Sequence, residues 1–552
     1  MSSAGSSPRF ADASQSPANV LQRGFACLSC RRRKLRCDAA RPSCQQCIRT
    51  NRAGECAYDD GRTLTRTQML QARIDELEDE VRRYRPTLDD FPASLNPHSL
   101  LDVFFERRHQ AHLEVHSQRF FLSLTLTTTE RNSRRPHPCL LNAMYLLACH
   151  FTKPHDSARH EAFFLTKARA ALTDALEHSD RLIQFIQASS LICVYLLANG
   201  RTLESYYLVC ATARFAIGCG LHEIASPVWR EAGAAQVPST FGDGQATGGN
   251  GVLAAPFDSI DLGERIMTFW QLWIIDRSIS MATSLPPAIG ADYLAQTTTC
   301  WPPALSEFEM GTVSDLNYST ITQLYDPNAS VLPPRTDSIM TLNTKATEIF
   351  YQAHELSSLV TRNAIDTNTF SARFQSLVLA LSRFHPSVAS SQEQGVTRNG
   401  QSSSSSGSSS TSRSNSGDGI VRPSTPPIPP RLILSHTLIY ATNIVLYSIL
   451  AQGSEDAYKR CVVAARKAAR VIHAANVLQL DLSQLEYLFG PCWTCVAETL
   501  IRHSAHIAAA DPQAAAIFEN DIEVVADALE RLSEAFPVLQ HKVAYIRQLR
   551  GQ

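Results

Sequence analysis

Apolar residues recur at helical spacing over most of the chain. In "ASLNPHSLLDVFFERRHQAHLEVHSQRFF" they fall at Leu100, Leu101, Phe104 and Phe105, then at Val115, Phe120 and Phe121. Helical patterns follow at 138–151, 159–177, 181–198 and 201–221, and resume at 432–452, 455–477, 484–510 and 514–535. Runs of alternating β-branched residues are few, so the pattern predicts a large all-α domain. Two stretches break it. Residues 225–259 contain "GDGQATGGNG" and read as a long loop, and 386–431 contain "QSSSSSGSSSTSRSNSGDG" and "PSTPPIPP". Tracts of Ser, Gly and Pro cannot bury a core, so 386–431 is predicted to be a disordered insertion. The most apolar runs, Leu182–Ala198 and Leu432–Leu450, are interrupted by polar residues and read as buried helices rather than membrane spans. The first 26 residues lack the apolar segment of a secretory signal.

A shorter periodic stretch precedes this domain. In "QMLQARIDELEDEVRRYRP", Leu70, Ile74, Leu77, Val81 and Tyr84 are spaced 4, 3, 4, 3, the d-a-d-a-d seam of a coiled coil. With Ile74 at a, Arg73 and Glu80 fall at g, and Glu78 and Arg85 at e, so a parallel homodimer gains attractive pairs. Pro86 stops the helix. The alternative is an amphipathic helix packing on its own chain. In the dimer reading, the Thr63–Thr67 segment sets the distance between two DNA half-sites.

Charge adds a local asymmetry. The 552 residues are 44% hydrophobic, enough for a sizeable core, and the formal net charge is −1. Yet Arg23 to Arg52 holds nine Lys and Arg against the single acid Asp38, a local net charge of +8. A basic patch on a balanced chain points to an anionic partner.

Six of the 15 cysteines lie inside that patch: Cys27, Cys30, Cys37, Cys44, Cys47 and Cys56. Their spacing, C-x2-C-x6-C-x6-C-x2-C-x8-C, is a near-repeat of C-x2-C-x6-C and C-x2-C-x8-C. Zinc takes four ligands in structural sites, so six thiolates fill two tetrahedral ions only if two of them bridge. The repeat suggests one bridge in each half. Such a core carries −2, which surrounding Arg and Lys offset. With few apolar residues nearby, metal supplies most of the folding free energy. A disulfide framework and a single four-thiol zinc site are the alternatives. The first does not suit a reducing compartment, and the second leaves the repeat unexplained.

These residues resemble the DNA-binding domain of the fungal binuclear zinc-cluster (Zn2Cys6) transcription factors. The resemblance covers 23–58, behind a disordered tail of 1–22. It implies two zinc ions bridged by Cys27 and Cys44. It implies a helix after the second cysteine, carrying Arg31, Arg32, Arg33, Lys34, Leu35 and Arg36 into the major groove of double-stranded DNA. Lys34 takes the place of the family's base-reading lysine, and Pro42 that of its loop proline. A CGG half-site is the expected target, read through guanine O6 and N7. Arg31, Arg32, Arg33, Arg36 and Arg41 are expected mainly on phosphates. If the run is helical, Arg32 and Arg36 repel at i,i+4. The basic run also fits a nuclear-localisation signal.

A second resemblance covers 95–385 and, more loosely, 432–550. "LICVYLLANGRTLESYYLVCATARFAIGCGLHEI" (191–224) and "GERIMTFWQLWIIDRSISMATSLPPAI" (263–289) are similar to signatures of the fungal-specific transcription factor domain. Ile266, Met267, Ser284 and Leu285 depart from that pattern. Glu264, Arg265, Asp276, Arg277 and Arg214 read as ion pairs that fix helix packing.

The expected fold is a small metal-held Zn2Cys6 module with two short helices, a linker (59–68), a short coiled coil (69–85) and a large all-α domain. The expected function is zinc-dependent, sequence-specific DNA binding at RNA polymerase II genes. It implies a nuclear homodimer working with coregulators and no membrane. A repressor or constitutive scaffold is the alternative. No nucleotide loop, nucleophile elbow or HExxH occurs, which argues against an enzyme. Three other features carry weaker readings. Cys492-x-x-Cys495 reads as cysteines at a helix start, with Pro491 as its first residue. His109, His112 and His116 read as structural. The acidic run 511–534 reads as a packed terminal helix with a solvated face.

Overall fold

The computed structural model describes residues 25–58, 70–76, 91–92, 94–126, 135–152, 157–230, 252–314, 318–328, 337–400, 432–477, 480–482 and 485–551. The chain divides into two units, Met1–Phe91 and Pro92–Gln552. Among the described residues there is no strand, and no helix is long and apolar enough to cross a membrane.

The second unit is an array of packed helices. Their starts are written in the sequence. Asn96 accepts the His98 amide at 2.9 Å, with Pro97 in the first turn of Pro97–Arg107. Asp258, Ser338 and Asp511 likewise cap Ser259–Thr283, Ile339–Thr361 and Pro512–Ala535. A short polar side chain at that position satisfies an amide the helix leaves unpaired. The expected helices appear as Pro138–Thr152, Ser157–Glu177, Leu182–Ala198, Thr202–Gly218, Ile433–Ser448, Glu455–Val477, Phe489–Ile507 and Pro512–Ala535. The expected 201–221 helix ends early because Gly220 takes φ +77° and a 3-10 turn, Leu221–Glu223, follows. The expected 484–510 helix starts only at Phe489, so Pro491 is its third residue rather than its first. The helix Thr367–Gly400 runs through Pro386 into the expected insertion. Pro386 removes one backbone donor, and no glycine follows it before Gly395. The remainder of that insertion, 401–431, lies outside the described residues, as do 231–251 of the expected 225–259 loop.

Ser259–Thr283 is the spine of the array. Nearly every residue from Leu262 to Ser280 is buried, and it packs on Leu182–Ala198, Thr202–Gly218 and Ile339–Thr361. A helix apolar on every face belongs in an interior. Trp270 stacks on Trp301 with centroids 4.5 Å apart and donates to the Cys300 carbonyl at 2.7 Å. Gly263 lets Phe308 lie against the spine, since a Cβ there would sit 2.7 Å from its ring. Ile339–Thr361 then packs on Ile433–Ser448, which leads to Glu455–Val477 and Phe489–Ile507.

The spine carries a buried charge cluster. Arg277 donates from Nε to Glu348 at 2.9 Å and from Nη1 to Asp276 at 3.0 Å and the Ile289 carbonyl at 2.9 Å. Asp276 accepts the amides of Ala288 and Ile289, at 2.8 and 3.0 Å. Trp273 donates to Glu348 at 2.9 Å, and its ring lies 4.2 Å below the guanidinium. Asp276 and Arg277 therefore pair, with Glu348 as a partner the sequence did not reveal. Arg265 pairs with Asp261 at 2.9 Å, while Glu264 accepts the His116 amide at 2.9 Å instead of forming an ion pair. Among the described residues Arg214 meets no acid: it donates to the Tyr293 hydroxyl at 2.6 Å and stacks on that ring.

The three weaker features are accounted for by packing. Cys492 is buried, and burial pushes the Cys495 thiol up to about 12. His112 is buried 3.5 Å from Glu486, and His116 caps the Arg119 amide through Nδ1. Phe518, Ile522, Val525, Leu529 and Leu532 of the acidic helix are buried. Its Asp521, Glu519 and Glu530 pair with Arg466, Arg550 and Arg547.

Candidate metal centre and nucleic-acid interface

Residues 25–58 fold twice over the same plan, offset by 17 residues. Cys27 caps the helix Leu28–Arg32, its sulfur accepting the Cys30 amide at 3.4 Å. Cys44 caps Gln45–Arg49 in the same way, accepting from Cys47 at 3.4 Å. The Cys27 amide donates to Cys37 Sγ at 3.4 Å, and the Cys44 amide to Cys56 Sγ at 3.2 Å. Each helix closes on a left-handed residue, Lys34 (φ 53°) and Asn51 (φ 55°). After it, Leu35 donates to the Cys30 carbonyl at 3.0 Å, and Arg52 to the Cys47 carbonyl at 2.8 Å. This is the Schellman closure, built here without glycine.

That closure corrects the expected recognition helix. Only Arg31 and Arg32 are helical. Arg33 is the C-cap, Lys34 is left-handed, and Leu35 and Arg36 lie beyond. The expected i,i+4 repulsion between Arg32 and Arg36 therefore does not arise within a helix.

The six sulfurs converge. Five of the cysteines are buried and Cys56 is half-buried, whereas Leu28, Leu35 and Ile48 are exposed. The module thus has a core of thiols and no apolar core of ordinary kind. Two sets of four can each hold a metal ion: Cys27, Cys30, Cys37 and Cys44, and Cys27, Cys44, Cys47 and Cys56. Cys27 and Cys44 belong to both. Sulfur pairs stand 3.8 Å (Cys27–Cys44), 3.8 Å (Cys27–Cys47) and 3.6 Å (Cys30–Cys44) apart. A tetrahedral zinc with bonds near 2.3 Å requires sulfur edges of about 3.8 Å, so the thiols fit two ions sharing an edge. Their electrostatics agree. Burial, then the surrounding sulfurs, pushes the Cys30 thiol far up. Burial also raises Cys27, Cys44 and Cys47. Amides oppose this at the last cysteine of each half. The Cys44 amide lowers Cys56, and at Cys37 the Cys27 and Ala39 amides outweigh the effect of burial. Crowded thiols of this kind need a cation to ionise together.

Around this core Arg31, Arg32, Arg33, Lys34, Arg36 and Arg41 are all exposed. Two of them also meet protein groups: Arg33 donates to Glu55 at 3.3 Å, and Arg41 lies 5.0 Å over the Tyr58 ring. Tyr58 in turn donates to the Ala40 carbonyl at 2.6 Å, beside the cis Arg41–Pro42 peptide. Asp38 accepts the Gln45 amide at 3.0 Å, placing a carboxylate at the start of the second helix. The sequence reading did not single out Tyr58 or Glu55, and gave Asp38 no role. The two extra residues of the second half were the available signal for Glu55.

Of the expected dimerisation residues, Leu70 and Ile74 lie on helical backbone spanning 70–76 and are exposed. Leu77, Val81 and Tyr84 lie outside the described residues.

A thiol-cored, cation-rimmed metal module followed by a helical domain defines a class of chain: a small DNA-reading unit joined to a larger helical one. Residues 101–405 match the model of the fungal specific transcription factor domain, more than half of the chain, and the protein belongs to that family. Residues 25–64 match the fungal Zn(2)-Cys(6) binuclear cluster domain, which takes two zinc ions. Together these are domains found in DNA-binding transcription factors. The chain is also similar to Transcription factor FBD3 of Gibberella moniliformis, 34% identical over 83 residues, which span 15% of this chain and 11% of that protein. No solved structure matches the chain.

Proposed function

We propose that the protein binds CGG-containing DNA as a homodimer and regulates RNA polymerase II genes in the nucleus through coregulators. In this reading Cys27 and Cys44 bridge two zinc ions, Cys30 and Cys37 complete one site, and Cys47 and Cys56 the other. Lys34 reads guanine, and Arg31, Arg32 and Arg36 grip phosphates. Arg33 and Arg41 face protein partners and orient the module. Leu70, Ile74, Leu77, Val81 and Tyr84 form the dimer seam. The supporting observation is Lys34 itself, exposed yet fixed by a backbone closure between two cysteines of one metal set.

The test compares wild type and Lys34→Ala on a duplex with two CGG half-sites and on an unrelated duplex. The expected outcome is a loss of about 1–3 kcal/mol in specific binding with little change in non-specific binding. An equal loss on both duplexes would make Lys34 a phosphate contact and refute the base-reading role.

A further inference from the structure

The two halves of the cluster module differ in one respect that their common plan does not explain. The second carries two more residues before its last cysteine. Those residues, Gly54 and Glu55, lie in the 3-10 turn Ala53–Glu55, and the turn presents Glu55 to the first half. There one carboxylate oxygen accepts from Arg33 Nη2 at 3.3 Å and stands 3.9 Å from Arg52 Nη1. Between residues 25 and 58 only two carboxylates occur, Asp38 and Glu55. Asp38 is engaged by the Gln45 amide. Glu55 is thus the one carboxylate in the module placed to hold arginines, and Arg33 is the direct neighbour of Lys34.

We propose that Glu55 limits the module's affinity for the DNA backbone by withholding Arg33, and secondarily Arg52, from phosphate. The inference rests on the DNA-binding reading above and adds a residue that opposes binding. Phosphate contacts supply nearly all of non-specific affinity and only part of specific affinity. An arginine held by a carboxylate releases no counterion when DNA arrives. Engaging Arg33 within the module therefore lowers affinity for any duplex, target or not, and weakens the dependence of binding on salt. The extra residues of the second half are the structural means by which this carboxylate reaches the first.

The test uses the full-length, zinc-loaded chain and measures affinity for an unrelated duplex against salt concentration. Glu55→Gln is expected to steepen the slope of log affinity against log salt by about 0.9 for each arginine released, and to tighten non-specific binding about three-fold or more. Binding to the CGG duplex is expected to tighten by a similar factor. In an Arg33→Gln, Arg52→Gln background, Glu55→Gln is expected to change nothing. If the same gain persists there, Glu55 acts as a repulsive charge at a distance and the withholding mechanism is wrong. An unchanged slope in the wild-type background also overturns it. Bound zinc is measured for every variant. If Glu55→Gln loses zinc, Arg33→Gln alone decides the matter: a slope shallower by about 0.9 means Arg33 already grips phosphate, whereas a change well below that supports the proposal. The unrelated duplex contains no CGG, so a wrong half-site leaves this experiment intact. A wild type that binds neither duplex would instead defeat the DNA-binding reading itself.

Discussion

In residues 25–58 the buried side chains are sulfur, and Leu28, Leu35 and Ile48 face water. From Pro92 onward the arrangement is reversed. Trp270, Trp273, Phe269 and Phe350 fill the interior, and a charge that enters, Arg277, arrives with Asp276, Glu348 and two aromatic faces. One unit is too small to fold on apolar burial and uses metal–thiolate bonds. The other has apolar surface to spare and tolerates a charged cluster inside it. The contrast teaches that the two units depend on different solution conditions, metal for one and packing and protonation for the other.

Metal removal is the most drastic way to break that contrast. Chelation of the full-length protein is expected to abolish DNA binding and unfold 25–58, leaving the helical circular-dichroism signal and its urea transition nearly unchanged. Loss of both together would show that the helical domain also depends on zinc. A second perturbation acts only on the helical side. Glu348→Gln leaves Arg277 short of a buried anion and is expected to cost about 3–5 kcal/mol in urea unfolding. Zinc content should not change. A loss below about 1 kcal/mol would mean that Asp276 and the rings suffice for Arg277.

Protonation separates the units more finely. Burial pushes the Glu486 carboxyl up to about 8 and the facing His112 imidazole down to about 3, so both are uncharged at neutral pH. A carboxyl whose folded pKa is raised gives stability that is fully present at acid pH and is lost as pH rises through the folded value. Wild type should therefore weaken from about pH 4.5 to about pH 8 and then level off. The shift implies an effect on the order of a few kcal/mol. Glu486→Gln is expected to remove that decline, followed as urea midpoint against pH. His112, whose folded value is lowered, acts in the opposite window, losing stability as pH falls below 6.5. An unchanged alkaline profile in Glu486→Gln would show that another group carries the decline. The smallest effect is steric. Gly263→Ala places a methyl against the Phe308 ring and is expected to cost about 1–3 kcal/mol, read as a lowered midpoint of the helical transition.

Much of this was legible in the sequence, for identifiable reasons. Helix positions in the large domain follow from apolar period and polar caps, as at Asn96-Pro97 and Asp511-Pro512. The thiol pairs follow from spacing, because C-x2-C places two sulfurs on one helix start, whereas the sharing of Cys27 and Cys44 by both sets was implied only by the family resemblance. Two kinds of feature were not legible. One is backbone closure at a non-glycine residue, which ended the first helix before Lys34 where the family resemblance implied continuation to Arg36. The other is pairing between residues distant in sequence. Nothing local marks Glu348 as the partner of Arg277, 71 positions away, or turns Arg214 toward Tyr293 rather than an acid.

The closure at Lys34 has one more consequence. Its two hydrogen bonds, from the Lys34 and Leu35 amides to the Arg31 and Cys30 carbonyls, involve backbone alone. The side chain at 34 contributes nothing to them, so the position behaves as a socket: any residue the left-handed backbone admits leaves the chain from the same point in the same direction. The left-handed backbone sets the admission rule, favouring glycine and asparagine and excluding β-branched residues. A module of this kind can exchange the residue at 34 without redesigning its metal core.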